Sequence, residues 1–311
     1  MSAPQSAATV ELRGILERAH SATANDVDPA LREAVREDAE RTSYDGASTA
    51  ERYEAAVGAL TAHVDREPAL KRAAAAALGE QMERRVFGER LAGDERTAAY
   101  RASFVDAVRR GVEADVLDPA LVETYDLADL AEAIEPARDD RLEYMAMETL
   151  RQRYLLRFDP DGEPQELPQV FWLRVAAGLA LEEDDPAARA REFYDAMSTL
   201  RFTPSTPTLF HAGTTRPQLS SCYLTTVPDD LEGIFDAYRS HAVLSKYSGG
   251  LGNDWTNVRA SGSLISSTGV ESTGVVPFLR ISNDVTAAIN RSGKRRGAAC
   301  AYLAAWHLDF P

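Results

Sequence analysis

Over roughly the first two hundred residues, apolar side chains return every three or four positions within a background of Ala, Leu, Glu and Arg, the pattern of amphipathic helices. The spacing predicts helices over 69–87, 98–116, 119–134, 139–156, 168–181 and 186–199, with Asp159-Pro160-Asp161-Gly162 as a turn. Ser48-Thr49-Ala50-Glu51 has the form of a capping box, in which hydroxyl and carboxylate satisfy each other's free backbone N–H groups. The helix it opens carries Tyr53, Val57, Leu60 and Val64 on one face.

Near residue 200 the pattern changes. Gly, Ser, Thr and Pro become frequent, and short β-type runs occur at 221–226 and 274–278. A second domain is expected to begin there, with loops rich in hydroxyls and flexible backbone of the kind that handles phosphates. Between the two runs, Val227-Pro-Asp-Asp-Leu-Glu-Gly-Ile234 signals a helix start, because Pro and paired acids precede a periodic segment.

Composition narrows the function classes. With 311 residues and 44% hydrophobic content the chain is long enough for a packed core. No apolar run approaches the roughly 18 residues of a membrane span, and the start lacks the basic and apolar segments of a signal peptide, so a cytoplasmic location is expected. A net charge of -15 argues against sequence-independent nucleic-acid binding, which needs a basic footprint. Lys71, Lys246 and Lys294 are the only lysines, and the acidic bias suits a high-salt, halophilic cytoplasm; equally, it is a solvated surface without bearing on activity. The 2 cysteines, Cys222 and Cys300, are too few for a disulfide scaffold and too far apart for a metal knuckle.

Five segments could carry chemistry. In Arg201-Phe-Thr-Pro-Ser-Thr-Pro-Thr-Leu-Phe-His-Ala-Gly213, Pro204 and Pro207 stiffen a turn expected to present Ser205 and Thr206 to an anion, unless it is an ordinary proline-rich loop. Ser220-Ser221-Cys222 opens a strand, and its thiol is either a small buried hydrophobe or a redox group. Asp229 and Asp230 either cap a helix or touch a ribose. Lys246-Tyr-Ser-Gly-Gly-Leu-Gly-Asn-Asp-Trp-Thr-Asn-Val-Arg259 is a glycine loop that is neither a Walker A motif nor a dinucleotide fingerprint. Finally, a Ser/Gly/Thr loop at 262–274 precedes four cations at 290–297, either a solvated loop or a triphosphate and base contact.

Taken in order, these segments resemble the large, catalytic subunit of class I ribonucleotide reductase, from about residue 200 to the end. Upstream, Tyr44-Asp45-Gly46 and the helices to Gly88 look like the latter part of the family's N-terminal ATP-cone region. The resemblance implies an α/β fold: an all-helical N-terminal region followed by the first part of a ten-stranded α/β barrel, incomplete here. Its domains would be a degenerate ATP-cone-like region over 1–90, a helical domain over 91–200 and the start of the barrel over 201–311.

The implied activity is reduction of ribonucleoside diphosphates to deoxyribonucleoside diphosphates for DNA synthesis, through a thiyl radical and two further cysteines that form a disulfide. Cys222 aligns with one member of that reducing pair. Thr206, Ser221 and Gly250 would bind substrate beside it. Asp229, Asp230 and Leu231 match the stretch that holds the sugar and base of a specificity effector, and Arg259 matches an effector phosphate contact. Ile265 falls in the first specificity loop, and Arg291 and Arg295 fall in the second, which lies between effector and substrate. A glycine-bounded loop with two arrangements of similar energy can couple such sites.

The same resemblance implies partners: a small (beta) subunit whose dimetal-carboxylate centre generates the radical, a C-terminal portion of the large subunit, a second copy in a homodimer, and thioredoxin or glutaredoxin. Nucleoside diphosphates and Mg-bound dNTP or ATP effectors would be the ligands, with no cofactor or metal in this chain and no nucleic-acid or membrane partner. The family's Asn-x-Cys-x-Glu motif, its radical-path tyrosine pair and its C-terminal cysteine pair are not in this sequence, so these residues alone are expected not to complete a turnover. Nor is a Val-x-Lys-Arg-Asp-Gly-like motif found near residue 10, which speaks against overall ATP/dATP control. Two rival readings are a coenzyme B12-dependent reductase, disfavoured by the long helical front and the Ser-Ser-Cys spelling, and a non-catalytic nucleotide-binding or assembly module.

Overall fold

A computed structural model describes residues 7–23, 27–158, 162–246, 249–289 and 298–310. They form two compact units, one of Met1–Pro204 with Leu209–Pro217 and one of Ser205–Thr208 with Gln218–Pro311.

The first unit is helical. Helices α1 (Ala7–Ser21), α2 (Pro29–Thr42), α3 (Thr49–Ala62) and α4 (Leu70–Phe87) share a core that includes Leu12, Ile15, Val35, Tyr53, Leu60 and Leu70. The Ser48–Glu51 capping box forms at the start of α3, and the predicted face is the buried one: Tyr53 and Leu60 lie in the core, with Val57 and Val64 packed at its edge. Because Tyr53 is fully buried, its hydroxyl needs an acceptor, and it donates to Glu80 Oε1 at 2.6 Å.

Helix α5 (Gly93–Glu113) follows as a single long element. The continuous helix predicted over 119–134 is instead α6 (Ala120–Thr124) and α7 (Leu127–Ala131). The Asp126 carboxylate accepts from the Ala128 and Asp129 amides and so starts a new helix, a local bond that outcompetes continuation. The predicted helix over 139–156 is likewise divided into a 3-10 turn Pro136–Arg141, α8 (Tyr144–Thr149) and a π turn Leu150–Tyr154, an arrangement in which Asp139 is buried. Helix α9 (Pro168–Leu179) is almost wholly buried, and α10 (Pro186–Ser198) is capped by Asp185; both begin with Pro at the position where its missing N–H costs nothing.

Helix α9 also pins the segment 209–217. The guanidinium of Arg174, 0% exposed, pairs with Glu166 at 2.7 Å and donates to the Ala212 carbonyl at 2.8 Å. One turn on, Gly178 meets Gly213 so closely that a Cβ at 178 would stand 2.1 Å from the Gly213 nitrogen. Only glycine permits that backbone approach.

The second unit contains α11 (Thr206–His211, whose last residues group with the helical unit), β1 (Cys222–Thr226), α12 (Leu231–Lys246), β2 (Gly250–Asp254), β3 (Leu264–Ile265), β4 (Val270–Glu271), α13 (Val276–Ile289) and β5 (Ala298–Tyr302). Strands β1, β2 and β5 make a parallel sheet in that order, connected through α12 and α13, and the sheet is not closed. Val227, Ile234, Tyr238, Trp255, Val258 and Val275 form the core beneath it.

Three expectations are corrected in this unit. The proline-rich turn at 204–207 leads directly into α11, with Pro207 in its first turn. The glycine loop contains β2, because glycines at 249 and 252 admit the neighbouring side chains of Tyr223, Leu224 and Tyr302 while Leu251 and Asn253 are buried. The apolar run at 274–278 begins α13, because Pro277 fixes a helical φ and has no N–H to give to a sheet.

Candidate functional site

The site is built around the first residue of β1. Cys222 stands in register with Gly250, the first residue of β2, and the Gly250 amide donates to the Ser221 carbonyl at 2.9 Å. Alternation along a strand puts Cys222 and Leu224 on the same face as Gly250, Gly252, Cys300 and Tyr302. On that face Gly252 is roofed: a Cβ there would lie 2.6 Å from Leu224 Cδ2 and 3.1 Å from Tyr302 Cε2. Thr206 opens α11, and two residues later the Thr208 hydroxyl donates to the Leu219 carbonyl at 3.0 Å, tying that helix start to the strand that carries Ser221 and Cys222. Ser221, Cys222 and Gly250 therefore meet at one end of the sheet, and Thr206 stands on the helix whose Thr208 is bonded to the Leu219 carbonyl just ahead of it.

Both thiols are free and exposed. Cys300 pairs with Gly252, so β2 lies between it and the strand of Cys222. Two strand spacings are about 9–10 Å. A disulfide spans Cα atoms no more than about 7 Å apart, so Cys300 is not positioned to be the oxidation partner of Cys222. Its neighbour is Tyr302, whose phenol pKa is raised first by the hydrogen bond to Cys300 and least by the charge of Cys222.

The opposite face of the sheet holds a polar network that the sequence did not advertise. Thr225 Oγ1 lies 3.0 Å from Asn253 Oδ1 and 3.0 Å from His241 Nε2. The hydroxyl has one proton, which goes to the amide oxygen, so His241 Nε2–H is the donor to Thr225. Burial lowers the His241 pKa and keeps the ring neutral. The network ties α12 to β1 and β2, the strands of Cys222 and Gly250. A histidine and an asparagine inside apolar runs were the available signal, and neither has a motif spacing.

At the far end of β1 the second predicted group assembles. The Asp229 carboxylate accepts from Arg259 Nε at 2.9 Å and from the Arg259 amide at 3.0 Å. Arg259 also donates to the Leu264 carbonyl at 3.4 Å, which brings it against the β3–β4 hairpin containing Ile265. Asp230 caps α12, with its Oδ1 accepting from the Gly233 amide at 2.7 Å, and Leu231 is 65% exposed at the start of that helix. Asp229, Arg259 and the Ile265 hairpin are thus joined, while Asp230 is occupied by the helix terminus. Arg291 and Arg295 lie outside the described residues. Asp309, which sequence reading passed over, accepts from the Ser261 and Val275 amides.

Known proteins place this architecture. The all-alpha domain of ribonucleotide reductase matches residues 140–217, and the barrel domain of the same enzyme matches residues 220–311. The chain belongs to the ribonucleotide reductase large-subunit family. The junction between the two matches falls where the helical unit gives way to the sheet unit, and the unclosed parallel sheet is part of that barrel.

Among curated relatives, the ribonucleoside-diphosphate reductase subunit alpha of Chlamydia muridarum is 42% identical over 267 residues, 86% of this chain and 25% of that protein. The corresponding subunit of Helicobacter pylori is 46% identical over 187 residues, 60% of this chain and 24% of that protein. The ribonucleoside-diphosphate reductase large chain of Schizosaccharomyces pombe is 44% identical over 183 residues, 58% of this chain and 22% of that protein. The chain therefore spans about a quarter of the length of the curated relatives it matches. Among the described residues no helix is long and apolar enough to cross a membrane.

Proposed function

We propose that these residues form the substrate-facing and effector-facing front of a ribonucleoside-diphosphate reductase large subunit. The observation that carries this reading is the single strand β1, with Ser221-Cys222 beside Gly250 at one end and Asp229 paired with Arg259 beyond the other. Five strand residues span roughly 17 Å, enough to separate two nucleotides while joining their sites through one rigid element.

In this reading, Thr206, Ser221 and Gly250 hold a nucleoside diphosphate against Cys222. Removal of the 2′-hydroxyl as water requires two electrons and two protons, which a pair of thiols supplies as their S–H bonds are exchanged for one S–S bond. Cys222 is one thiol. Its partner comes from outside these residues, because Cys300 lies two strands away. Asp229, Asp230, Leu231, Arg259 and Ile265 take a dNTP or ATP effector as its magnesium complex. Its triphosphate competes with Asp229 for Arg259, and charge-assisted bonds to phosphate favour the exchange. The C-terminal portion of the large subunit, a second copy in a homodimer, a radical-generating small subunit and thioredoxin or glutaredoxin complete the cycle in the cytoplasm. Because Cys222 has no thiol partner in reach, the described residues by themselves bind nucleotides without reducing them.

Calorimetric titration of the folded chain with dTTP tests this reading. Binding is expected, and Arg259→Ala should weaken it by roughly 10- to 100-fold, the worth of a charged hydrogen bond. Absence of dTTP binding by the folded chain would sink the proposal.

A further inference from the structure

The loop 262–274 is closed at its neck by its own backbone: the Gly262 amide donates to the Ser272 carbonyl at 2.9 Å, and the Ser272 amide to the Ser263 carbonyl at 2.8 Å. Just outside that neck, one side chain from a distant part of the chain holds both feet. Asp309 Oδ1 accepts from the Ser261 amide at 2.9 Å and Oδ2 accepts from the Val275 amide at 2.9 Å. The carboxylate comes so close that a Cβ on Gly274 would stand 2.2 Å from Oδ2, and Gly274 has a φ of +77. Both facts require glycine there.

Asp309 is itself fixed. Its amide donates to His307 Nδ1 at 3.1 Å, so the proton on that ring sits at Nε2, which donates to the Val258 carbonyl at 2.6 Å. The residue after Val258 is Arg259, whose guanidinium reaches the Leu264 carbonyl inside the loop. Two ionised oxygens facing two N–H donors is an arrangement that only a carboxylate of this length satisfies, since an amide would turn its NH2 group toward one of the donors.

We propose that Asp309 is a positioning residue for the effector loop, stapling both feet of 262–274 so that Ile265 and Arg259 keep one relative placement. This inference rests on the effector reading above. The staple holds the loop closed with two charge-assisted bonds to backbone and makes no contact with nucleotide itself.

The test uses the chain carrying Asp309→Asn, with amide hydrogen exchange at Ser261 and Val275 read alongside dTTP calorimetry and the unfolding midpoint. Loss of protection at one or both amides and at least about tenfold weaker dTTP binding are expected, with little movement of the midpoint. Unchanged dTTP affinity together with unchanged protection overturns the inference. If the wild-type chain binds no dTTP, the effector reading falls, and the exchange data still judge the staple: unaltered protection at both amides overturns it. Should the Asp309→Asn chain not fold, Gly274→Ala drives a methyl into the same carboxylate oxygen, and unchanged affinity in that variant overturns the inference equally.

Discussion

The two units spend their polar groups in opposite ways. In the helical unit one ion pair is buried and answered on several sides: Arg174 and Glu166 are 0% and 2% exposed, and between them they bond to each other, to the Ala212 carbonyl and to the Leu156 amide. In the sheet unit the groups proposed to meet nucleotides lie open, with Cys222 exposed and every residue of β5 exposed. The helical unit seals this pair to hold the segment 209–217 through the Ala212 carbonyl. The sheet unit leaves Cys222, Arg259 and Tyr302 accessible, as surfaces that engage ligands or further chain must.

The sharpest way to break that contrast is Arg174→Met. Removing one partner leaves the Glu166 carboxylate buried without its counter-charge and the Ala212 carbonyl without its donor, a loss of about 3–5 kcal/mol. Chemical denaturation should show it as a large drop in the midpoint of the helical unit. A change below about 1 kcal/mol would mean that water replaces the guanidinium and that the unit is less sealed than its burial implies.

A second buried network makes stability depend on pH. The Tyr100 hydroxyl is 2.8 Å from both Glu83 Oε1 and Asp139 Oδ2, yet it has one proton to donate. Glu83, held by the Arg96 guanidinium at 2.6 Å, takes that proton's bond, so Asp139 must supply its own to the phenol oxygen while its other oxygen accepts from Gln169 at 2.6 Å. Consistently, burial raises the Asp139 pKa from 3.8 to about 7, against smaller opposing contributions from Gln169, Tyr100 and Arg96. A raised folded pKa means stability that is fully present below pH 3.8 and is lost as pH rises through about 7. Between pH 6 and pH 8 the unfolding equilibrium constant should rise about tenfold from this group, and in Asp139→Asn, whose amide mimics the protonated acid, that rise should vanish. Equal pH slopes for the two proteins would show that Asp139 is ionised throughout. Tyr194, which donates to Gln169, lies under Arg138 and stays neutral, with its own pKa pushed up to about 12, so it does not contribute in this range.

Periodicity and end signals made much of the helical unit legible: the capping box at Ser48, the buried face of α3, and the starts of α9 and α10 at Pro168 and Pro186 all follow from local chemistry. The breaks did not: Asp126 ends one helix and caps the next through the Ala128 and Asp129 amides, a local choice that periodicity does not register, and Asp139 is placed by partners remote in sequence, such as Gln169. In the sheet unit, β1 was legible from its β-branched run, but β2 was hidden, since glycine in a strand is meaningful only once Tyr223, Leu224 and Tyr302 are known to lie against it. Asp229 and Arg259 were singled out only by resemblance and as separate effector contacts, so their pairing with each other was not foreseen; Asp309 had no signal at all, being a single acid 48 residues from the Ser261 amide it holds.

The smallest expected effect belongs to Leu224→Ala, and it separates what this chain does alone from what its face is for. Leu224 is 82% exposed although it sits over Gly252 on the face of Cys222. In the chain as it stands, truncation removes little buried area and should change stability by no more than about 0.5 kcal/mol. Leu60, 0% exposed in the helical core, should lose about 2–5 kcal/mol for the same change. If further barrel strands cover the Cys222 face in an assembly as long as the curated relatives, Leu224→Ala made there should approach the Leu60 value. A Leu224 effect that stays near zero in such an assembly would mean that the face remains open to ligand, and that Leu224 and Tyr302 form a floor beneath the nucleotide rather than a seam between strands.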